Sequence, residues 1–164
     1  MQIDVTTGDI VQAQVEVLVT AANRSLAGGG GVDGAIHRAA GPELLAALRP
    51  LAPCRIGGAV ITPSFRIAGP VRFIVHAVGP RYGVDEPAAE LLASAYSQSL
   101  SRCDEVGASS VAFPALSTGA YGYPLQEACR ISIDALRATE TRVERCLLVA
   151  FDAKTQAMWQ RALA

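Results

Sequence analysis

The sequence predicts an α/β sandwich formed by a single domain, and three observations carry that reading. Runs rich in β-branched residues alternate with alanine- and leucine-rich stretches along all 164 residues. Helical stretches open at Pro42, Pro87 and Pro124, where a first-turn proline is tolerated. A chain of this length can also bury ~70% of its unfolded surface in one core. No repeat, low-complexity tract or linker interrupts it, so residues 1–164 read as one domain.

The elements follow in order from their composition. Gln2–Thr6 and Glu16–Ala21 carry Ile3, Val5, Val17 and Val19 and are expected as strands. The alanine-rich Gly34–Ala40 and the run Glu43–Leu48, opened by Pro42, are expected as helices. Leu51–Gly58 is a turn-rich connection into the strand Ala59–Thr62, and Arg72–Ala77 is a further β-branched run. Arg81–Pro87 is again rich in turn residues, and Pro87 opens the long helix Ala88–Val106. Strand Ser110–Phe113, helix Leu125–Thr139, strand Arg145–Phe151 and helix Ala153–Leu163 complete the chain.

Composition narrows the function. The net charge is −1, so no basic surface of the kind that dominates nonspecific nucleic-acid affinity is signalled. Cys54, Cys103, Cys129 and Cys146 are far apart and form no zinc-ligand spacing, which makes reduced thiols the expected state. The chain opens Met1-Gln2-Ile3-Asp4-Val5 without a basic-then-apolar leader. No apolar run approaches the ~20 residues of a membrane span. A cytoplasmic protein is expected, and a monomer, since no heptad or spare apolar helix face appears.

The most informative segment runs from Asn23 to His37. Gly28, Gly29, Gly30 and Gly31 strip one loop of side chains, although each glycine costs roughly 0.5–1 kcal/mol of extra ordering entropy. Bare amides suit phosphate, and the flanking Asn23, Asp33 and His37 suit ribose hydroxyls and a water. Asp33 also has a plainer role open to it as a helix cap, although Ile36 stands where a capping box would place an acid. Asp33 and His37 have the four-residue spacing of neighbours on one helix face. A second loop, Ser117–Tyr123, follows another strand and runs into the helix opened by Pro124, which favours an anion. Both loops lie beyond strand carboxyl ends, where open α/β sheets bind ligands, and together they would clamp a diphosphate.

Other motif readings fail. Gly29-x-Gly31-x-x-Gly34 matches the dinucleotide fingerprint, but the acid required ~20 residues on is missing around Pro53–Arg55. A phosphate-binding P-loop would need Gly-Lys-Ser/Thr, and the single lysine is Lys154. Ser117 lacks the glycine two residues upstream of a nucleophile elbow, because Ala115 stands there. His76 ends an apolar strand and is expected to be a satisfied core histidine.

The run Asn23-x-x-Leu26-x-Gly28-Gly29-Gly30-Gly31-Val32-Asp33-Gly34-Ala35-Ile36-His37, followed by Ala39-Ala40-Gly41-Pro42, resembles the signature of the MacroD-type macrodomains. Gly8-Asp9-Ile10, Val75–Pro80 and Phe113–Pro124 extend the likeness over nearly the whole chain. The resemblance implies a three-layer α/β/α sandwich with a mixed, mostly parallel sheet. It also implies hydrolysis of an ester on the distal ribose of ADP-ribose, in O-acetyl-ADP-ribose or in proteins mono-ADP-ribosylated on acidic side chains. By this likeness Asp9 and the Ile10 backbone would hold adenine, and Phe151 would stack on it. The diphosphate would rest on Gly29, Gly30, Gly31 and Val32 and on Ser117, Thr118, Gly119, Ala120, Tyr121 and Gly122. Asn23 and Tyr121 would address the distal ribose, Asp33 would orient or deprotonate a water, and His37 would position Asp33 or the ribose. No metal or cofactor is implied. Thr20 departs from the pattern, which has asparagine there. The alternative is a module that reads ADP-ribose without turning it over; an RNA-binding role rests on family precedent and gains nothing from the composition.

Overall fold

The computed structural model describes residues 1–164. Its strands are β1 (Gln2–Thr7), β2 (Val17–Ala21), β3 (Ala59–Pro63), β4 (Phe73–Ala77), β5 (Ser110–Phe113) and β6 (Arg145–Ala150). They form one sheet in the order β1-β6-β5-β2-β4-β3. Every neighbouring pair is parallel except β3 with β4, so the sheet is mixed and mostly parallel. The helices are α1 (Gly31–Ala40), α2 (Glu43–Leu48), α3 (Ala88–Glu105), α4 (Leu125–Ala138) and α5 (Ala153–Leu163).

Period-two alternation sorts the strand residues into two cores. Val17 and Val19 of β2, with Val75 and Ala77 of β4, pack into the apolar cluster that holds Leu92, Leu100, Ile133 and Trp159 of α3, α4 and α5. Leu18 and Ile74, which point the other way, join Ile36, Leu44 and Leu48 of α1 and α2. Both faces are therefore covered, which makes a three-layer sandwich. All four residues of β5 are buried, as expected of a strand shielded on both faces.

Every expected element is present; Glu43–Leu48, Ser110–Phe113 and Ala153–Leu163 keep their bounds, and the others shift at one end by one to three residues. Glu16 falls outside β2 because its carboxylate is drawn to a corner, accepting from the Ser109 amide at 2.9 Å and from Arg72 Nη2 at 2.7 Å. Phe151 lies beyond β6 rather than within it. The chain turns there so that Asp152 can cap α5, its Oδ1 accepting from the Thr155 amide at 2.8 Å. The largest shift is at α1, which starts at Gly31 and not at Gly34. The Gly34 amide donates to Gly30 O at 3.2 Å, closing the first turn early.

One buried polar contact ties α5 to α4: Trp159 Nε1 donates to Ser132 Oγ at 3.0 Å. Replacing Ser132 with alanine is expected to leave the indole N–H without an acceptor and lower stability by about 1–3 kcal/mol. Urea unfolding with an unchanged m-value would register that loss.

Candidate active site

Because β1, β6, β5, β2 and β4 run the same way, their carboxyl ends line one edge of the sheet. Read along that edge, the segments that follow them are Gly8–Ile10, Phe151, Ser117–Tyr123, Asn23–Gly30 and Val78–Pro80. Every residue assigned a catalytic or ligand-binding role from the sequence thus falls on one edge or on α1, which rises from it. β3 runs antiparallel and contributes nothing there.

The glycine loop begins with Asn23, whose amide group is committed at both ends. Its Nδ2 donates to Gly28 O at 2.9 Å, and its Oδ1 accepts from Ser25 Oγ at 2.8 Å and from the Ala27 amide at 3.3 Å. Asn23 therefore braces the loop, with one N–H still free. The amides of Gly29, Gly30, Gly31, Val32 and Asp33 bond to no group of the protein, which is the usual condition of a helix start. Gly34 is needed for packing, since a Cβ there would sit 2.7 Å from Gly29 O. Gly30 is different: its φ of −94° suits any residue, and a Cβ would meet nothing within 4 Å.

The early start of α1 places Asp33 in the first turn, where it does not act as a cap. Its side chain points down onto the sheet and is 5% exposed. Thr20 Oγ1, on β2, donates to Asp33 Oδ1 at 2.9 Å, and His37 Nε2 lies 3.7 Å from the same oxygen. Burial raises the Asp33 carboxyl above the usual aspartate range, opposed by the Thr20 hydrogen bond and by His37. His76, paired with Thr20 across β2 and β4, sits beneath His37 with the ring centroids 6.5 Å apart. It is only half satisfied. Thr62 Oγ1 lies 2.9 Å from Nε2, but the buried Nδ1 has no partner. Burial, with His37 nearby, pushes this imidazole down to about 3, so it is neutral at physiological pH. Sequence reasoning missed this polar layer, although parallel pairing of β2 with β4 would have signalled it.

In the second loop the amides of Ser117, Gly119, Ala120 and Tyr121 are likewise without partners. Tyr123 is buried and its amide donates to Ser117 O at 2.9 Å, closing the loop at its base. The Ser117 hydroxyl is itself buried and bonded to nothing, so it is not presented at the loop surface. Tyr121 is half-exposed, and its carbonyl receives the Tyr82 amide at 2.9 Å. At the far end of the edge Asp9 Oδ1 accepts from the Val11 amide at 3.0 Å, capping the short turn Ile10–Gln12, which leaves Oδ2 available. Phe151 is 87% exposed, an uncovered aromatic face beside that turn's strand.

These features meet in the macro domain family, to which the chain belongs. The family's model matches residues 19–132. A Klebsiella pneumoniae protein named O-acetyl-ADP-ribose deacetylase is 49% identical, the match covering 100% of this chain and 97% of the relative. A macro domain-containing protein of Lactiplantibacillus plantarum is 46% identical over the same shares. Among solved structures, the Oceanobacillus iheyensis macrodomain, as a glycine-to-valine variant with ADP-ribose, superposes with a TM-score of 0.91 at 38% identity, covering 97% of this chain and 90% of its own. Further structures of that protein carry an aspartate or an asparagine changed to alanine.

Because folding raises the Asp33 pKa, the folded state binds the proton more tightly than the unfolded state does. The carboxylate is then a destabilising element at neutral pH, and its penalty disappears as pH falls below the ordinary aspartate range. Asp33→Asn is expected to raise the melting temperature near pH 7, with the gain shrinking toward zero under acid conditions. Melting curves of both proteins across that pH range check the sign.

Proposed function

We propose that this chain binds ADP-ribose along the carboxyl edge of the sheet and hydrolyses an ester on its distal ribose. O-acetyl-ADP-ribose and proteins mono-ADP-ribosylated on acidic side chains are the substrate class. The observation that carries this reading is Asp33: a carboxyl of raised pKa, in reach of His37, beside a row of unpartnered glycine amides. Gly30 supports it from another side. Its missing side chain leaves the space beside the free amides open to something that approaches from outside. In the Oceanobacillus relative the altered asparagine, glycine and aspartate are spaced by seven and then three residues, as are Asn23, Gly30 and Asp33 here.

In this reading adenine stacks on Phe151, with Asp9 and the Ile10 backbone at its edge, and the diphosphate rests on the free amides of both loops. Asn23 and Tyr121 orient the distal ribose. Asp33 takes a proton from a water whose oxygen attacks the ester carbonyl. The acyl–oxygen bond then breaks, the acid leaves, and the ribose oxygen recovers the proton. A carboxylate lifted toward neutral pH is a better base for this step than one at ~3.9. His37 keeps Asp33 aimed. One domain, residues 1–164, carries the whole site.

Asp33→Ala is expected to lower turnover of O-acetyl-ADP-ribose by about 10²–10⁴-fold while calorimetric ADP-ribose binding persists. Binding by the unaltered protein without turnover would instead make it a reader. Thr20→Val removes a hydrogen bond to the charged form of Asp33, so its pKa rises. The acidic limb of the kcat/KM profile is expected to move to higher pH, and Thr20→Ser to restore it.

A further inference from the structure

Ser117 adopts a φ of +68°, a left-handed conformation uncommon for a residue with a side chain. Its hydroxyl is sealed from solvent and bonded to nothing. The space it fills belongs to Gly79, two residues past β4: a Cβ added at Gly79 would overlap Ser117 Oγ, while Ser117 Cβ and N would lie at 3.4 and 3.7 Å. Gly79 does not take the left-handed conformation that by itself favours glycine. The obstacle to a side chain at Gly79 is Ser117 Oγ.

We infer that Ser117 and Gly79 form a latch between the loops that follow β5 and β4, and that the latch holds the free amides of Ser117, Gly119, Ala120 and Tyr121 in an anion-receiving arrangement. Backbone that switches between right- and left-handed conformations turns successive N–H groups toward one concavity, and Ser117 supplies the left-handed step. The buried hydroxyl, wedged against the Gly79 backbone, and the Tyr123 amide on Ser117 O keep that step from relaxing. Ser117 is thus a positioning residue. Its hydroxyl touches Gly79 and makes no contact with the ligand. This rests on the ADP-ribose reading of the site.

The test is calorimetric titration of ADP-ribose into the unaltered protein, Gly79→Ala, Ser117→Gly and the double variant, with melting temperatures for all four. Gly79→Ala is expected to bind about tenfold or more weakly, because its methyl displaces Ser117 and the amides with it. Ser117→Gly removes the wedging oxygen, although glycine still takes the left-handed conformation freely, so it is expected to bind more weakly than the unaltered protein but more tightly than Gly79→Ala. The double variant should bind as Ser117→Gly does, since the obstructing oxygen is gone. Unaltered binding by Ser117→Gly, which leaves the hydroxyl nothing to hold, or no recovery in the double variant, overturns the latch. If the unaltered protein binds no ADP-ribose, the ligand reading fails, and the melting temperatures still decide the latch. Coupling supports it when Ser117→Gly relieves the loss caused by Gly79→Ala, and additive losses overturn it.

Discussion

β2 and β5 are parallel neighbours at the middle of the sheet, and the position of every other site group depends on that pairing. Parallel strands bring their carboxyl ends to one edge, so the loops that follow them emerge side by side. Were β5 reversed, Ser117–Tyr123 would open on the far side of the molecule from the glycine loop. The same direction in β1 and β6 sets Asp9 and Phe151 further along the edge, and β4 brings Gly79 against Ser117. A flat row of main-chain donors results, with an aromatic face at one end and a buried acid at the other.

α1 serves two purposes that oppose one another. Its amino end turns unpartnered amides outward, while its underside carries Asp33 and His37 where apolar side chains would pack better. Beneath them the sheet answers with Thr20, His76 and Thr62, so a polar layer crosses one of the two cores. The layer is incompletely satisfied at His76 Nδ1, and burial disfavours the charged form of Asp33. Groups retained at such a cost are typical of places where an architecture serves chemistry before stability.

Much of this was readable before folding. The β-branched runs located all six strands, and the glycine run with Asp33 and His37 at helical spacing marked the site and the pair within it. Some residues read differently once placed. Asp33 looked available as a cap because the helix start was set at Gly34, and the hydrogen bond from the Gly34 amide to Gly30 O moved that start. Ser117 was expected among the residues beneath the diphosphate, and its left-handed backbone goes with a hydroxyl that is buried instead. His76 looked satisfied, yet one nitrogen has a partner and the other has none.

The division follows from the range of the forces involved. Hydrophobic periodicity, proline at helix starts and glycine in loops act over a few residues, so the sequence alone determined the elements, their order and the bare-amide loop. Strand order and direction depend on contacts between distant segments, and the tertiary structure alone decided them. With them came the Thr20 bond to Asp33, the burial that raises that acid, and the overlap that makes Gly79 and Ser117 depend on each other. Desolvation and steric exclusion arise from whatever the fold places alongside a group, and no local pattern in the chain encodes its neighbours.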